Sequence, residues 1–498
     1  MNVNPITRLD YPDPDVIRVE DTYYMVSTTM HFMPGCEILQ SFDLVHWEHV
    51  TYVYETLDHT DAQQLKSGQN IYGQGMWAAS LRYHEGRFYI CFVANDTRKT
   101  YLYTSEKIDG PWKKQLIEGF YHDGSLLFDE DGRNYIVYGN DEIWITELNE
   151  DLTAPKKDGL HRLLVSDHKN PELGYEGSHI QKINDYYYIF LVHSLRDRWM
   201  RTEACFYSDS LEGEFTGGDV LCDDRGYCGQ GVAQGGIVDT PDGKWYAMLF
   251  QDSGAVGRIP ILLPVTWKDH FPVFGQNGHV PEEIEVHSTR PGYIYQPLVG
   301  SDDFCNGLLP RWQFNHDPDP RYYHLDALQG TYTITTREVC TELTQAVNTL
   351  TQRMSYPSCA AEVTVDASAL KEGDVAGLCA LQGCYAAVGI TKHHGKYEVL
   401  MLDKKEDGIL DMTEGTVVES HQMDFRLEAD FCNMKDEARC YYRVNKGDWL
   451  PIGTVHKLYF KLDHFTGCRF GLFCYAAEET GGSACFRDFK YYDVDEIS

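Results

Sequence analysis

The chain has 498 residues, 43% hydrophobic and 24% charged, long enough for two folded cores but without the ~20-residue apolar run of a membrane helix. A formal net charge of −33 repels nucleic acid and acidic polysaccharides and leaves neutral substrates. Fifteen scattered cysteines, odd in number and without a CxxC pair, read as free thiols rather than a disulfide framework or a zinc site.

The opening MNVNPITRLDYPDPD has neither a basic start nor an apolar stretch, which gives a cytoplasmic expectation. From Asp13 onward one pattern recurs five times: DPDVIRVEDTYYMVS, AASLRYHEGRFYICFVA (from Ala78), DGSLLFDEDGRNYIVYG (from Asp123), EGSHIQKINDYYYIFLVH (from Glu176) and QGGIVDTPDGKWYAMLFQ (from Gln234). Each is a short apolar strand, a turn built from Asp, Asn or Gly, and a second strand opened by aromatic residues: a hairpin. Looser outer-strand motifs follow most of them, as in ILQSFDLVHW, YTSEKIDGPW, ITELNEDL and FYSDSLEGEF. A hairpin plus outer strands makes a four-stranded blade. The starts are 65, 45, 53 and 58 residues apart, and no sustained helical period is present. The expectation is an all-β chain with a five-bladed β-propeller over residues 1–298.

Beyond about Ser301 the pattern stops. Strand-like alternation continues in TYTITT, AAEVTVDA and KLYFKLDH, and the chain closes with GCRFGLFCYAAEETGGSACFRDFKYYDV, two strands around a Gly-rich turn. A β-sandwich over residues 299–498 is expected.

In a propeller the first strand of each blade lines the axis, so Asp13, Ala78, Asp123, Glu176 and Gln234 converge in register. Three are carboxylates. Like charges brought together are costly to bury and drive their pKa values apart, which suits acid–base chemistry. Glycoside hydrolysis needs one carboxylic acid and one carboxylate base, with a third carboxylate available to hold the acid's proton. On their own the residues do not say which is which.

NPITRLDYPDPDVIRVEDTYYMVST with its Pro-Asp-Pro, HDGSLLFDEDGRNYIVYG and GYEGSHIQKINDYYYIF, in this order, resemble glycoside hydrolase family 43, the β-xylosidases and α-L-arabinofuranosidases. The resemblance implies an inverting hydrolase with Asp13 as general base, Glu176 as general acid and Asp123 orienting that acid and raising its pKa. MWAASLRYHEGRFY resembles the family's Trp-Ala-Pro segment, with Ala79 in place of Pro, and implies Trp77 as a stacking wall of the pocket. GAVGRIPILLPVTW implies a substrate-binding Arg258, HFMPGC puts Phe32 at the sugar-binding rim, and His179 is expected in the pocket floor. Many relatives open the fifth segment with a His that helps hold a central metal ion; Gln234 stands there in this chain. No cofactor is required, and a structural calcium ion would have to use the Gln234 carbonyl as an oxygen ligand.

The C-terminal stretch is similar to the jelly-roll, concanavalin-like sandwich of many family β-xylosidases. Such a sandwich folded onto the active face would shorten a groove to a pocket, the exo mode. The implied activity is release of xylose or arabinose from neutral pentose oligosaccharides, with no nucleic-acid or membrane partner; a homo-oligomer is compatible with it. The alternatives are a non-catalytic glycan- or protein-binding propeller and a same-fold hydrolase for another sugar, such as an arabinanase, galactosidase or fructan hydrolase.

Overall fold

The computed structural model describes residues 2–413 and 415–493. Among them there is no α-helix, only four short 3-10 turns, and no helix able to cross a membrane. Five four-stranded antiparallel sheets follow one another in chain order. The first two blades are Asp15–Val19, Thr22–Ser27, Gly35–Ser41, Glu48–Tyr54 and Met76–His84, Arg87–Ala94, Lys99–Ser105, Lys113–Ile117. The third is Ser125–Phe128, Asn134–Asn140, Glu142–Leu148, His161–Ser166. The fourth is Glu176–Ile183, Tyr186–Ser194, Arg201–Ser208, Thr216–Leu221, and the fifth Val232–Asp239, Trp245–Asp252, Arg258–Lys268, Phe271–Phe274.

The second strand of each blade is sandwiched between neighbouring blades, so both its faces are apolar. This explains why YICFVA, YIVYG and YAMLF read as continuous rather than alternating runs. Each adjacent pair of blades has its own buried cluster: Ile38, Leu81 and Phe92 between the first and second, Cys91, Leu126 and Ile136 between the second and third. Val137 and Ile189 join the third and fourth, Phe190 and Leu263 the fourth and fifth, and Met25 and Met248 close the fifth onto the first. No strand is exchanged between the first and last blades. Closure adds an Arg18–Asp239 ion pair and a short ribbon of Asn2–Val3 against Glu283–Ile284.

The C-terminal region is a β-sandwich of a nine-stranded and a seven-stranded sheet. The closing strands Arg469–Ala476 and Ser483–Asp493 belong to different sheets, so the Gly-rich segment between them crosses the sandwich. The nine-stranded sheet ends on Phe32–Met33 of the propeller, paired with Gln313–Asn315. This ties the two domains together through backbone hydrogen bonds. All fifteen cysteines are free thiols, nine of them buried inside the two domains.

One expectation fails usefully. KLYFKLDH is not a strand of its own: Leu450–Lys457 ends on its first residue, and residues 458–465 form a loop. Its apolar residues divide: Leu458 is buried in the sandwich core, Phe460 faces the Arg258 guanidinium of the propeller and Leu462 is exposed.

Candidate active site

The inner strands reach the propeller's upper face through local backbone irregularities. Asp13, Asp123, Gly177 and Gln234 have φ of 52°, 46°, 66° and 65°, and the inner-strand ladders of the second, fourth and fifth blades shift register at Met76/Ala79, Glu176/His179 and Ala233/Gly236. Left-handed residues and bulges re-aim side chains, here toward the axis. At Gly177 a Cβ would lie 2.8 Å from the Gln234 side chain, so only glycine lets the two segments meet.

The result is a small cavity lined by Asp13, Thr28, Met30, Trp77, Ala78, Asp123, Glu176, Arg201, Gln234, Arg258 and Phe465. Six of the eight residues singled out in the sequence meet there. The Asp13 carboxylate receives the Thr28 hydroxyl at 2.6 Å and Arg258 Nη1 at 3.1 and 3.3 Å. Arg258 is itself fixed by its backbone N–H to Asp10 (2.7 Å) and by Phe465, whose ring centroid lies 4.2 Å from the guanidinium carbon. Glu176 Oε2 accepts from Asn140 Nδ2 at 2.7 Å and faces His122 Nε2 at 3.3 Å. Asp123 Oδ2 accepts the Gly177 N–H at 3.0 Å and lies 3.5 Å from the same His122 nitrogen.

The charges separate the roles. Burial, together with the Glu176 and Asp13 carboxylates, pushes the Asp123 carboxyl up to about 6 against the opposing pull of His122. Burial lowers the His122 imidazolium, but Asp123 and Glu176 outweigh it and raise the group to about 9. His122, Asp123 and Glu176 place one ligand atom each within 4.8 Å of the others, close enough to share a cation. At neutral pH the proton on His122 already fills that role.

Two expected residues lie elsewhere. Phe32 is buried at the domain junction, its ring 3.4 Å from the Arg469 guanidinium carbon, because its strand is paired with the sandwich. His179 follows the bulge after Glu176, which turns it below the cavity onto Asp15 at 3.1 Å. Nor does an axial calcium ion suit this chain. The Gln234 side chain lies in the cavity, the Gln234 backbone N–H donates to the buried Glu203 at 2.7 Å, and the axis beneath holds the Arg82 guanidinium, a fixed positive charge.

The sequence reading missed five contributors, among them Thr28, which holds Asp13. His122 stands directly before Asp123 and was open to notice. Asn140, at the end of a second strand, and Arg201, which donates to Asp252 at 2.9 Å, carry no repeat signal. Phe465 comes from the sandwich, as does Phe460, which joins Trp199 and Leu462 in a wider vestibule outside the cavity.

Comparison with known proteins agrees with this geometry. Residues 3–272 match the model of glycosyl hydrolases family 43, and residues 301–492 that of the beta xylosidase C-terminal concanavalin A-like domain. A beta-xylosidase of Formosa agariphila is 26% identical over 99% of this chain and 89% of its own length. A non-reducing end alpha-L-arabinofuranosidase of Bacteroides ovatus is 26% identical over 66% of this chain and 63% of its own. Among solved structures, a bifunctional GH43-CE protein of Bacteroides eggerthii superposes with a TM-score of 0.93 at 42% identity; it covers all of this chain, which spans 64% of that protein. A GH43 glycoside hydrolase engineered for endo-xylanase and exo-arabinofuranosidase activity superposes at 0.86 with 27% identity, covering 99% of both chains. A propeller whose blades deliver carboxylates to one buried cavity, and a family match over more than half of the sequence, lead to the same conclusion: this chain belongs to glycosyl hydrolases family 43.

Proposed function

We propose that the chain is an exo-acting, inverting hydrolase that releases xylose or arabinose from the non-reducing ends of neutral pentose oligosaccharides. Asp13 is the general base, Glu176 the general acid and Asp123 the group that tunes the acid. The observation that carries this is the meeting of three carboxylates from three blades in one cavity capped by Phe465 of the second domain.

Arg258 and Thr28 hold Asp13 in one orientation, as a base that must take a proton from water on one face of the sugar requires. Asp13 and Glu176 come from different blades and share no hydrogen bond. Inversion requires ~6.5–9.5 Å between the two carboxyls, so that a water fits beside the anomeric carbon. Both contacts of Glu176 fall on Oε2, which leaves Oε1 to protonate the departing oxygen. Asp123 approaches the same His122 nitrogen as Glu176 and accepts the Gly177 N–H next to it, a position from which it orients the acid.

Trp77 offers an aromatic wall and an indole N–H buried without a partner, suited to a sugar hydroxyl. The Phe465 cap makes the site a pocket rather than a groove, which favours removal of terminal residues. The relatives named for xylosidase and arabinofuranosidase activities support both pentoses.

The test is hydrolysis of nitrophenyl β-D-xylopyranoside and nitrophenyl α-L-arabinofuranoside side by side, with proton NMR of the first-formed anomer. Turnover with an inverted anomer is expected. A retained anomer would remove Asp13 as a base, and no turnover of either glycoside would redirect the reading to another sugar.

A further inference from the structure

One layer below the catalytic cavity, two residues further along most inner strands, lies a second ring of polar groups: Asp15, Ser80, Ser125 and, displaced by the bulge, His179. It stitches neighbouring blades together. Asp15 Oδ2 accepts the Leu81 N–H of the second blade at 2.7 Å, and Ser80 accepts Leu126 N–H of the third at 3.1 Å. Ser125 in turn accepts Ile180 N–H of the fourth at 3.0 Å. His179 faces Asp15 Oδ1 across the axis, and a Cβ at Gly236 of the fifth blade would lie 3.3 Å from its ring nitrogen.

Arg82 ties this ring together. Its Nη1 donates to Asp15 at 2.8 Å, its Nη2 to Ser125 Oγ at 2.7 Å and Ile180 O at 3.2 Å, and its Nε to Leu126 O at 2.8 Å. One guanidinium from the second blade therefore reaches the first, third and fourth, which is feasible only from the axis. A planar fork with five donors matches such a spread of acceptors; an ammonium does not. Asp15 is 1% exposed, and Arg82 and His179 together satisfy the charge that burial would otherwise penalise.

We propose that Arg82 is a resident axial cation, a positioning residue that fixes the inner strands of the first four blades and makes the placement of Asp13, Asp123 and Glu176 independent of a bound metal ion. The carboxylate and carbonyl oxygens that would draw a divalent cation to the axis are taken by its N–H groups. Asp13 and Asp123 each stand two residues before a partner of Arg82, and Glu176 four residues before Ile180, so a shift of the clasp is transmitted directly to the catalytic layer.

The kinetic arm of the test rests on the proposed roles of the three carboxylates; the unfolding arm does not. Wild-type protein dialysed against a chelator is expected to keep its unfolding temperature and its kcat, and millimolar calcium chloride to change neither. Arg82→Met is expected to lower kcat by about 10–100-fold, the cost of a small misplacement, with a much smaller change in KM and a displaced pH profile. Its unfolding temperature should fall by roughly 5–15 °C. Arg82→Lys keeps the charge but cannot reach all four acceptors, and should fall between the two.

A chelator that lowers the wild-type unfolding temperature, with recovery on adding calcium, would overturn the proposal. So would a folded Arg82→Met with wild-type kcat, KM and pH profile, since a merely structural residue changes the folded fraction and leaves these intact. If Arg82→Met does not fold, Arg82→Lys decides: equality with wild type in kcat and unfolding temperature refutes the clasp, and partial loss of both supports it. A wild type without turnover would refute the glycosidase reading and leave the unfolding arm to judge Arg82.

Discussion

Asp13 and Asp15 stand two residues apart in YPDPD, and both are buried, yet they sit in different chemistry. Below the cavity, Asp15 is braced by Arg82 and His179; burial works to raise its pKa, but these partners hold it under the ordinary carboxylate range. Above, Asp123 has only a histidine for a cation, and burial with two neighbouring carboxylates raises it to about 6. The same inner strands thus carry Asp15, whose charge is satisfied by an arginine, and Asp123, whose charge is not, although both are buried. Asp13 stands between them, in the catalytic layer but held by Arg258.

Substitutions in the upper layer should act first on turnover. Asp13→Asn is expected to lower kcat by about 10²–10⁴-fold, the usual worth of a general base. Glu176→Ala should lose a comparable factor on xylobiose but much less on an activated nitrophenyl glycoside, whose leaving group needs no proton. Equal loss on both substrates would show that Glu176 is not the acid. The lower layer should respond in the opposite way: Asp15→Asn leaves a buried arginine without its carboxylate and is expected to cost about 3–5 kcal/mol of stability, seen in denaturant unfolding. If Asp15→Asn instead abolished turnover in a fully stable protein, the division into two layers would be wrong.

The pH dependence of unfolding sharpens the same contrast. The native state keeps a proton on Asp123 up to about 6, whereas the ordinary value is 3.8, so the native state binds more protons in that window and stability falls as pH rises through it. His122, raised from 6.5 to about 9, contributes stability that is complete below 6.5 and lost as pH rises through about 9. Melting temperatures between pH 4 and 10 should therefore decline in two steps. Asp123→Asn should erase the lower step and pull the upper one toward 6.5, because Asp123 is the main group raising His122. An unchanged lower step would assign it to another carboxylate.

Much of this was legible because a propeller repeats. Five hairpins in register gave the blade count and put Asp13, Asp123 and Glu176 on one axis, since a repeat aligns positions far apart in the chain. Contacts that no repeat or local window contains stayed hidden. Arg82 lies in an unremarkable LRYHEGRF, and its partners are spread over three other blades. His179, three residues after Glu176, was expected in the pocket floor; a bulge between the two, which no sequence signal marks, turns it onto Asp15. KLYFKLDH has the alternation of a strand, but Leu458 packs into the sandwich core while Phe460 faces the propeller, a split that sequence periodicity does not show.

That loop yields the smallest expected effect and the sharpest test of the second domain's role. The Phe465 ring covers Arg258, its backbone carbonyl accepts from Arg258 Nη2 at 3.4 Å, and it borders both the cavity and the vestibule outside it. Phe465→Ala removes the ring and keeps the carbonyl, so Asp13 should remain held while one wall of the pocket opens. KM for the nitrophenyl glycosides is expected to rise roughly tenfold, in line with ~1–2 kcal/mol for a desolvated cation–π and stacking contact, and kcat to change less. Phe465 itself is not part of the sandwich core cluster, so the melting temperature should stay near wild type. A large fall in kcat at constant KM would mean that the sandwich acts on the chemistry through Arg258 rather than on the fit of the sugar.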